Sequence, residues 1–150
     1  MADLAWTCCA LDELSARQLY ALLKLRSEVF VVEQRCIYLD PDGLDLEALH
    51  LLGRDARGEL LACARLIPTP HGPKIGRVLT APAARGSGQG RALMQRAISE
   101  CTTLWPAQPI TLSAQAHLQG FYASLGFQAI SAVYDEDGIP HIDMRRQATP

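Results

Sequence analysis

The segment richest in chemistry reads Arg85-Gly86-Ser87-Gly88-Gln89-Gly90-Arg91. Gly86, Gly88 and Gly90 carry no Cβ, so the backbone can turn tightly and a bulky anion can approach its amides. A helical pattern (Met94, Ala97, Ile98, Cys101, Leu104) follows at once. The unpaired amides and positive dipole end of a helix start favour a phosphate group. Arg85 and Arg91 add positive charge beside the bend. The spacing discriminates among nucleotide loops. No Lys-Ser/Thr follows, which removes the G-x-x-x-x-G-K-[ST] type. The spacing is G-x-G-x-G, late in the chain, which removes the dinucleotide fingerprint that follows a first strand. A strand, a glycine loop and a helix that together hold an anion remain.

Other residues could move protons. Tyr122 is read as an exposed hydroxyl at the sheet edge, able to give a proton to a leaving group. Glu33, His117 and His141 are candidate bases, with Glu33 placed first. Glu33 also opens an acidic stretch, residues 33–47. It holds five acids (Glu33, Asp40, Asp42, Asp45, Glu47) against Arg35, a net of −4, whose field would draw a cationic amine. It is a poor calcium loop, because with Asp40 at position 1 the twelfth residue is Leu51 instead of Glu. The five cysteines are odd in number and form no C-x-x-C pair. Reduced thiols, a cytoplasmic setting and no metal are expected, with Cys36 a spectator for want of a paired base.

These residues need a scaffold, and the pattern supplies one. Ser15 and Gln18 make a capping box ahead of a helix running to about Val32. Strands are expected at 5–9, 49–52, 60–67, 75–80, 110–114, 127–134 and 141–145, and helices from just past Gly90 to Leu104 and at 118–125. Trp105-Pro106 stops the first of these and Gly126 caps the second. The order β-α-β-β-β-α-β-α-β-β mixes hairpins with strand–helix crossovers, which predicts an α/β fold with one mixed sheet flanked by helices. The 150 residues suit a single domain spanning 1–150. Fourteen basic against sixteen acidic side chains give −2, unlike a general nucleic-acid binder. No apolar run approaches the ~20 residues of a membrane span. The opening Met1-Ala2-Asp3-Leu4 has no basic region before an apolar one, so no secretory leader is expected.

Arg85-x-x-Gly88-x-Gly90 resembles the R/Q-x-x-G-x-G/A diphosphate loop of the GCN5-related N-acetyltransferase (GNAT) superfamily. Gln115, then Tyr122 seven residues on, then Gly126-Phe127, resembles that family's second signature, with Gln115 where Asn is commoner. Phe30-Val31-Val32-Glu33-Gln34, Asp42 to Asp45, Gly76-Arg77-Val78, Ala114-Gln115-Ala116-His117 and the run from Tyr134 to His141 are similar to its ElaA branch, so the resemblance covers almost the whole chain. It implies the acyl-CoA N-acyltransferase fold, a mostly antiparallel sheet whose central strand splays from its neighbour. Acetyl-CoA is then the implied cosubstrate. Its pantetheine arm would pair with backbone groups of Val78, Leu79 and Thr80, and its diphosphate with amides of Gly86, Ser87, Gly88, Gln89, Gly90 and Arg91. Gln115 would be a further cofactor contact, Tyr122 the proton donor, and the acceptor a small-molecule or peptide amine. No nucleic-acid or membrane partner is implied, and a homodimer is the assembly common among such relatives. Two alternatives stand beside this one: a CoA-sensing module without catalysis, and an acyl-homoserine-lactone synthase, which Arg26-x-x-Val29-Phe30 before an Asp-rich segment resembles.

Overall fold

The computed structural model describes residues 3–148; Met1 and Ala2, part of the leader reading, lie outside them. After strand β1 (Ala5–Ala10) comes helix α1 (Ala16–Arg26). It begins as expected: Gln18 N–H donates to Ser15 Oγ at 3.1 Å and Ser15 N–H to Gln18 Oε1 at 2.9 Å, satisfying two amides that a helix start leaves free. Past Arg26 the chain keeps turning as a π-helical segment, Ser27–Glu33, so the helical run ends near the expected Val32 but loosens on the way. Arg26 and Val29 are buried from this stretch along with Leu22 and Leu25.

Strands β2 (Leu49–Arg54), β3 (Leu60–Ile67), β4 (Lys74–Thr80), β5 (Ile110–Gln115), β6 (Phe127–Ala129), β7 (Tyr134–Glu136) and β8 (Ile139–Arg146) complete an eight-stranded sheet. Its order is β1-β2-β3-β4-β5-β8-β6, with β7 also on β8, and every described pairing is antiparallel except β4 with β5. The crossover between those two is helix α2 (Gln89–Leu104), which buries Leu93, Met94, Ala97 and Cys101 and packs on β3 and β4. Strands β2 and β3 are buried along almost their whole length. That suits their near-continuous apolar runs, since a strand covered on both faces has no polar side to show. Helix α3 (Gln119–Ala123) packs beside β5 and β6.

One expected strand is broken. Residues 127–134 form two short strands on the same edge of β8. Ala129 pairs with Met144 and Tyr134 with His141. Five steps on one side therefore face three on the other, and the excess loops out. Ser131 stands in for the lost ladder contact, its Oγ accepting from Asp143 N–H at 2.9 Å.

Two irregularities set up the site. Strands β4 and β5 pair only at Lys74–Thr111 and Ile75–Leu112, and beyond Ile75 they part. The cause lies on the other edge of β4, where Cys63 faces Leu79 but Arg65 faces Gly76. Ala64 alone thus stands against Arg77 and Val78, a β-bulge that bends its strand. Arg77 adopts φ +48°, a conformation costly for a side-chain-bearing residue unless its surroundings hold it.

Candidate active site

A cavity of about 1120 Å³ fills the cleft where β4 and β5 separate. Val78, Leu79 and Thr80 line one side, Gln115 and Tyr122 the other, and Arg85 and Glu33 also border it. The fold thus brings the expected pantetheine strand, the second signature and two charged candidates to one space. Residues 86–91 lie just past Arg85, outside the lining. Gly86 and Gly88 take φ +78° and +81°, a region costly for residues with a Cβ. Gly88 is the N-cap of α2 and offers no side chain to cap it. A Cβ at Gly86, Gly88 or Gly90 would meet nothing within 4 Å. The bend is therefore open where side chains would stand, so a bulky anion can come close to its backbone.

The side chains around that bend are engaged with the protein itself. Ser87 Oγ donates to Ala84 O at 3.0 Å. Arg91 donates to Ser124 Oγ at 2.9 Å and lies over the Phe121 ring at 5.4 Å. Gln89 is buried. Arg85 grips both oxygens of Glu33 at 2.5 and 2.8 Å, and its Nε donates to Thr80 O at 3.3 Å. That fork holds the Glu33 carboxyl below its ordinary range and makes it a weak base. Glu33, ranked first by sequence, is an ion-pair partner of the glycine loop. Glu33→Gln should leave the acid–base limbs of any pH–rate profile in place. It should also tighten acetyl-CoA binding by less than about tenfold, as expected of an exposed pair released for a new anion; titration calorimetry at low salt measures it.

Tyr122 departs from the sequence reading too. It is not exposed: only 6% of it is accessible, with its ring edge-on to Phe121 at 5.1 Å and to Phe127 at 6.1 Å. The helix that carries it lies against the sheet, so the ring fills a core gap while the residue still borders the cavity. Burial pushes its pKa up to about 12, and the hydroxyl stays protonated at neutral pH as a donor must.

The acidic stretch is the largest correction. Its aspartates do not project a field; they close a ring with three arginines from other elements. Arg26 pairs with Asp40 (2.8 Å) and Asp45 (2.7 Å), Arg65 with Asp45 (3.1 Å) and Asp42 (2.7 Å), and Arg77 with Asp42 (3.4 Å) and Asp40 (2.8 Å). Three positive and three negative charges alternate and cancel. Tyr38 adds its hydroxyl to Asp40 and its ring to Arg77, and His50 Nε2 meets Asp45 O at 3.0 Å. This ring straps residues 34–48 across α1, β3 and β4 and holds Arg77 in its strained bulge, so the same charges that were read as bait for an amine shape the cleft. Residues Arg26, Arg65 and Arg77 were not singled out for this role from sequence.

Arg65 holds the Asp42 carboxyl well below the usual aspartate range. Burial opposes the same shift in Asp45, but Arg26 and Arg65 outweigh it. Both groups bind protons less readily folded than unfolded, so their stabilisation is complete above about pH 4, the ordinary aspartate value. It is lost as pH falls through their lower folded values. Urea midpoints should therefore drop below about pH 4 in wild type, and Asp42→Asn should be less stable than wild type at pH 7 with the gap narrowing in acid. A constant gap would remove Asp42 from this linkage.

His117 is exposed and His141 half-buried, and both border the cavity. His141 sits opposite Gln115 on β5 and opposite Tyr134 on β7. Beside it, Asp143 accepts from Ser113 Oγ at 2.9 Å and Tyr134 OH at 2.6 Å. The Cys36 thiol donates to Asp137 O at 3.3 Å. Burial, Asp137 and Glu136 push its pKa up, which suits a spectator. Among the described residues no helix is long and apolar enough to cross a membrane.

Comparison with known proteins agrees with this geometry. The family model "Acetyltransferase (GNAT) domain" matches residues 42–148. Protein ElaA of Escherichia coli K12 is 50% identical over 141 residues, 91% of this chain and 92% of that one. The crystal structure of E. coli ElaA superposes with a TM-score of 0.91 at 47% identity, covering 96% and 99% of the two chains. An acyl-CoA N-acyltransferase from Pseudomonas aeruginosa superposes with a TM-score of 0.90 at 49% identity, over 95% and 99%. The AHL synthase LasI shares the fold at a TM-score of 0.78 and 15% identity, over 98% and 91%.

Proposed function

Since the chain belongs to the GNAT acetyltransferase family, we propose that it transfers an acetyl group from acetyl-CoA to a primary amine by direct attack, with no covalent enzyme intermediate. The observation that carries this reading is the parting of β4 from β5 into a cleft that Arg85, at the start of the glycine bend, borders. Acetyl-CoA supplies the thioester. The β5-facing edge of β4 has no ladder partner past Ile75, so Val78, Leu79 and Thr80 offer main-chain groups to an extended amide chain as a sheet edge does. A main-chain N–H there is suited to polarise a carbonyl as negative charge builds on its oxygen. Residues 86–91 hold the diphosphate through their amides, with Arg85 adding charge once it leaves Glu33. Gln115 borders the cleft from the β5 side. Tyr122, buried and protonated, gives its proton to the departing sulfur.

The amine enters from the side of residues 29–44, where Val29, Phe30, Leu39 and Leu44 border the cavity. A small-molecule amine or a peptide amine fits this opening. The glycine bend favours CoA over the carrier-protein donor of a lactone synthase, which has no 3′-phospho-ADP end to hold. A thiol-release assay with acetyl-CoA and a panel of primary amines tests the reading. Amine-dependent release is expected; acetyl-CoA binding without release for any amine would make the chain a CoA-sensing module instead.

A further inference from the structure

We propose that His141 is the group that takes the proton from the incoming ammonium, with Glu136 receiving that ammonium beside it; this deepens the acyltransferase reading and rests on it. The argument is one of tautomer. His141 Nδ1 lies 2.8 Å from Ile139 O, and a carbonyl oxygen can only accept, so Nδ1 carries a hydrogen. In the neutral ring the lone pair then belongs to Nε2. Nε2 is 3.4 Å from Glu136 Oε2, on a side chain that borders the cavity. A neutral Nε2 and a carboxylate have no proton to share, and an ammonium that donates to both supplies one. Glu136 is 53% exposed, free to meet an ammonium before it reaches the ring.

The rest of the surroundings fix the ring. Tyr134 stacks on it at 6.2 Å and 27°, and its hydroxyl is held by Asp143 at 2.6 Å. Gln115 faces it from β5. The other charged groups bordering this cavity include Asp137, Lys74 and Glu33, the last neutralised by Arg85. Asp42, Arg65 and Arg77 are spent on one another in the ring. Of the three bases read from sequence, Glu33 is bound to an arginine and His117 is exposed. His141 alone of the three is both oriented and turned to the cavity.

The step balances. Nε2 takes one proton from the ammonium, and the nitrogen lone pair so released forms the C–N bond as the C–S bond breaks. The sulfur takes the Tyr122 hydroxyl proton, and the proton shed by the new amide nitrogen restores that hydroxyl. The imidazolium proton leaves to solvent.

Two measurements test the assignment. Long-range 1H–15N spectra of the whole protein labelled in histidine should show neutral His141 protonated at Nδ1; a neutral ring protonated at Nε2 overturns the proposal. His141→Gln should cut kcat about 100-fold or more with the most active amine of the panel. It should also remove the limb of the kcat/KM profile that reports a base, and leave acetyl-CoA affinity by calorimetry unchanged. Turnover and profile like wild type overturn the proposal. Loss of acetyl-CoA binding in wild type would instead sink the acyltransferase reading, with the tautomer still measurable.

Discussion

Replacing Arg26 with methionine should lower the free energy of unfolding by about 3–5 kcal/mol. Arg26 is 1% exposed and donates to both Asp40 and Asp45, themselves 3% and 7% exposed. Methionine fills much of the same volume but leaves two buried carboxylates without one of their counter-charges, and the cost of a charge stranded in the interior dominates over any gain in apolar packing. The strap of residues 34–48 then loses its tie to α1. Arg17→Met, on the exposed face of the same helix, controls for helix propensity and should change stability by no more than about 0.5 kcal/mol. Urea unfolding followed by circular dichroism separates the two. Equal stability of both variants would mean that the ring is not what fastens the strap.

Tyr122→Phe should leave the fold intact and reduce turnover by about 100-fold or more. The ring contacts with Phe121 and Phe127 survive the change, so the unfolding transition should stay where it is. What goes is the hydroxyl, the group proposed to protonate the departing sulfur. The loss belongs in kcat, with acetyl-CoA affinity unchanged, because the hydroxyl acts on charge that develops only as the bond breaks. Full turnover in Tyr122→Phe would mean that solvent protonates the sulfur.

Legibility in the sequence follows distance along the chain. The Ser15–Gln18 capping box, the stop at Trp105, and the strand–bend–helix from Ile75 onward depend on residues within a few positions of one another, and all were readable. The charge ring joins residues 14 to 37 positions apart, so a local count of acids saw a net charge where the fold has none. A signal was present nonetheless: Arg26 lies among Leu22, Leu25 and Val29 on the inward side of its helix, and Arg65 interrupts the apolar run of β3. A lone charge on a core face requires a partner from elsewhere. Tyr122 misled because α3 is five residues long, too short for periodicity to say which side is buried. The break between β6 and β7 was hidden because both halves pair with one strand, and only its register exposes the two extra residues. The β4 bulge depends on which residue of β3 faces Arg77, and no pattern within β4 encodes that.

A crystal structure of the protein with acetyl-CoA tests the whole account most directly. The pantetheine arm should lie along Val78, Leu79 and Thr80 in the gap left by β5, the diphosphate on the amides of residues 86–91, and the sulfur within hydrogen-bonding reach of the Tyr122 hydroxyl. Coenzyme bound elsewhere, or a bend at residues 86–91 that makes no contact with it, would contradict the account.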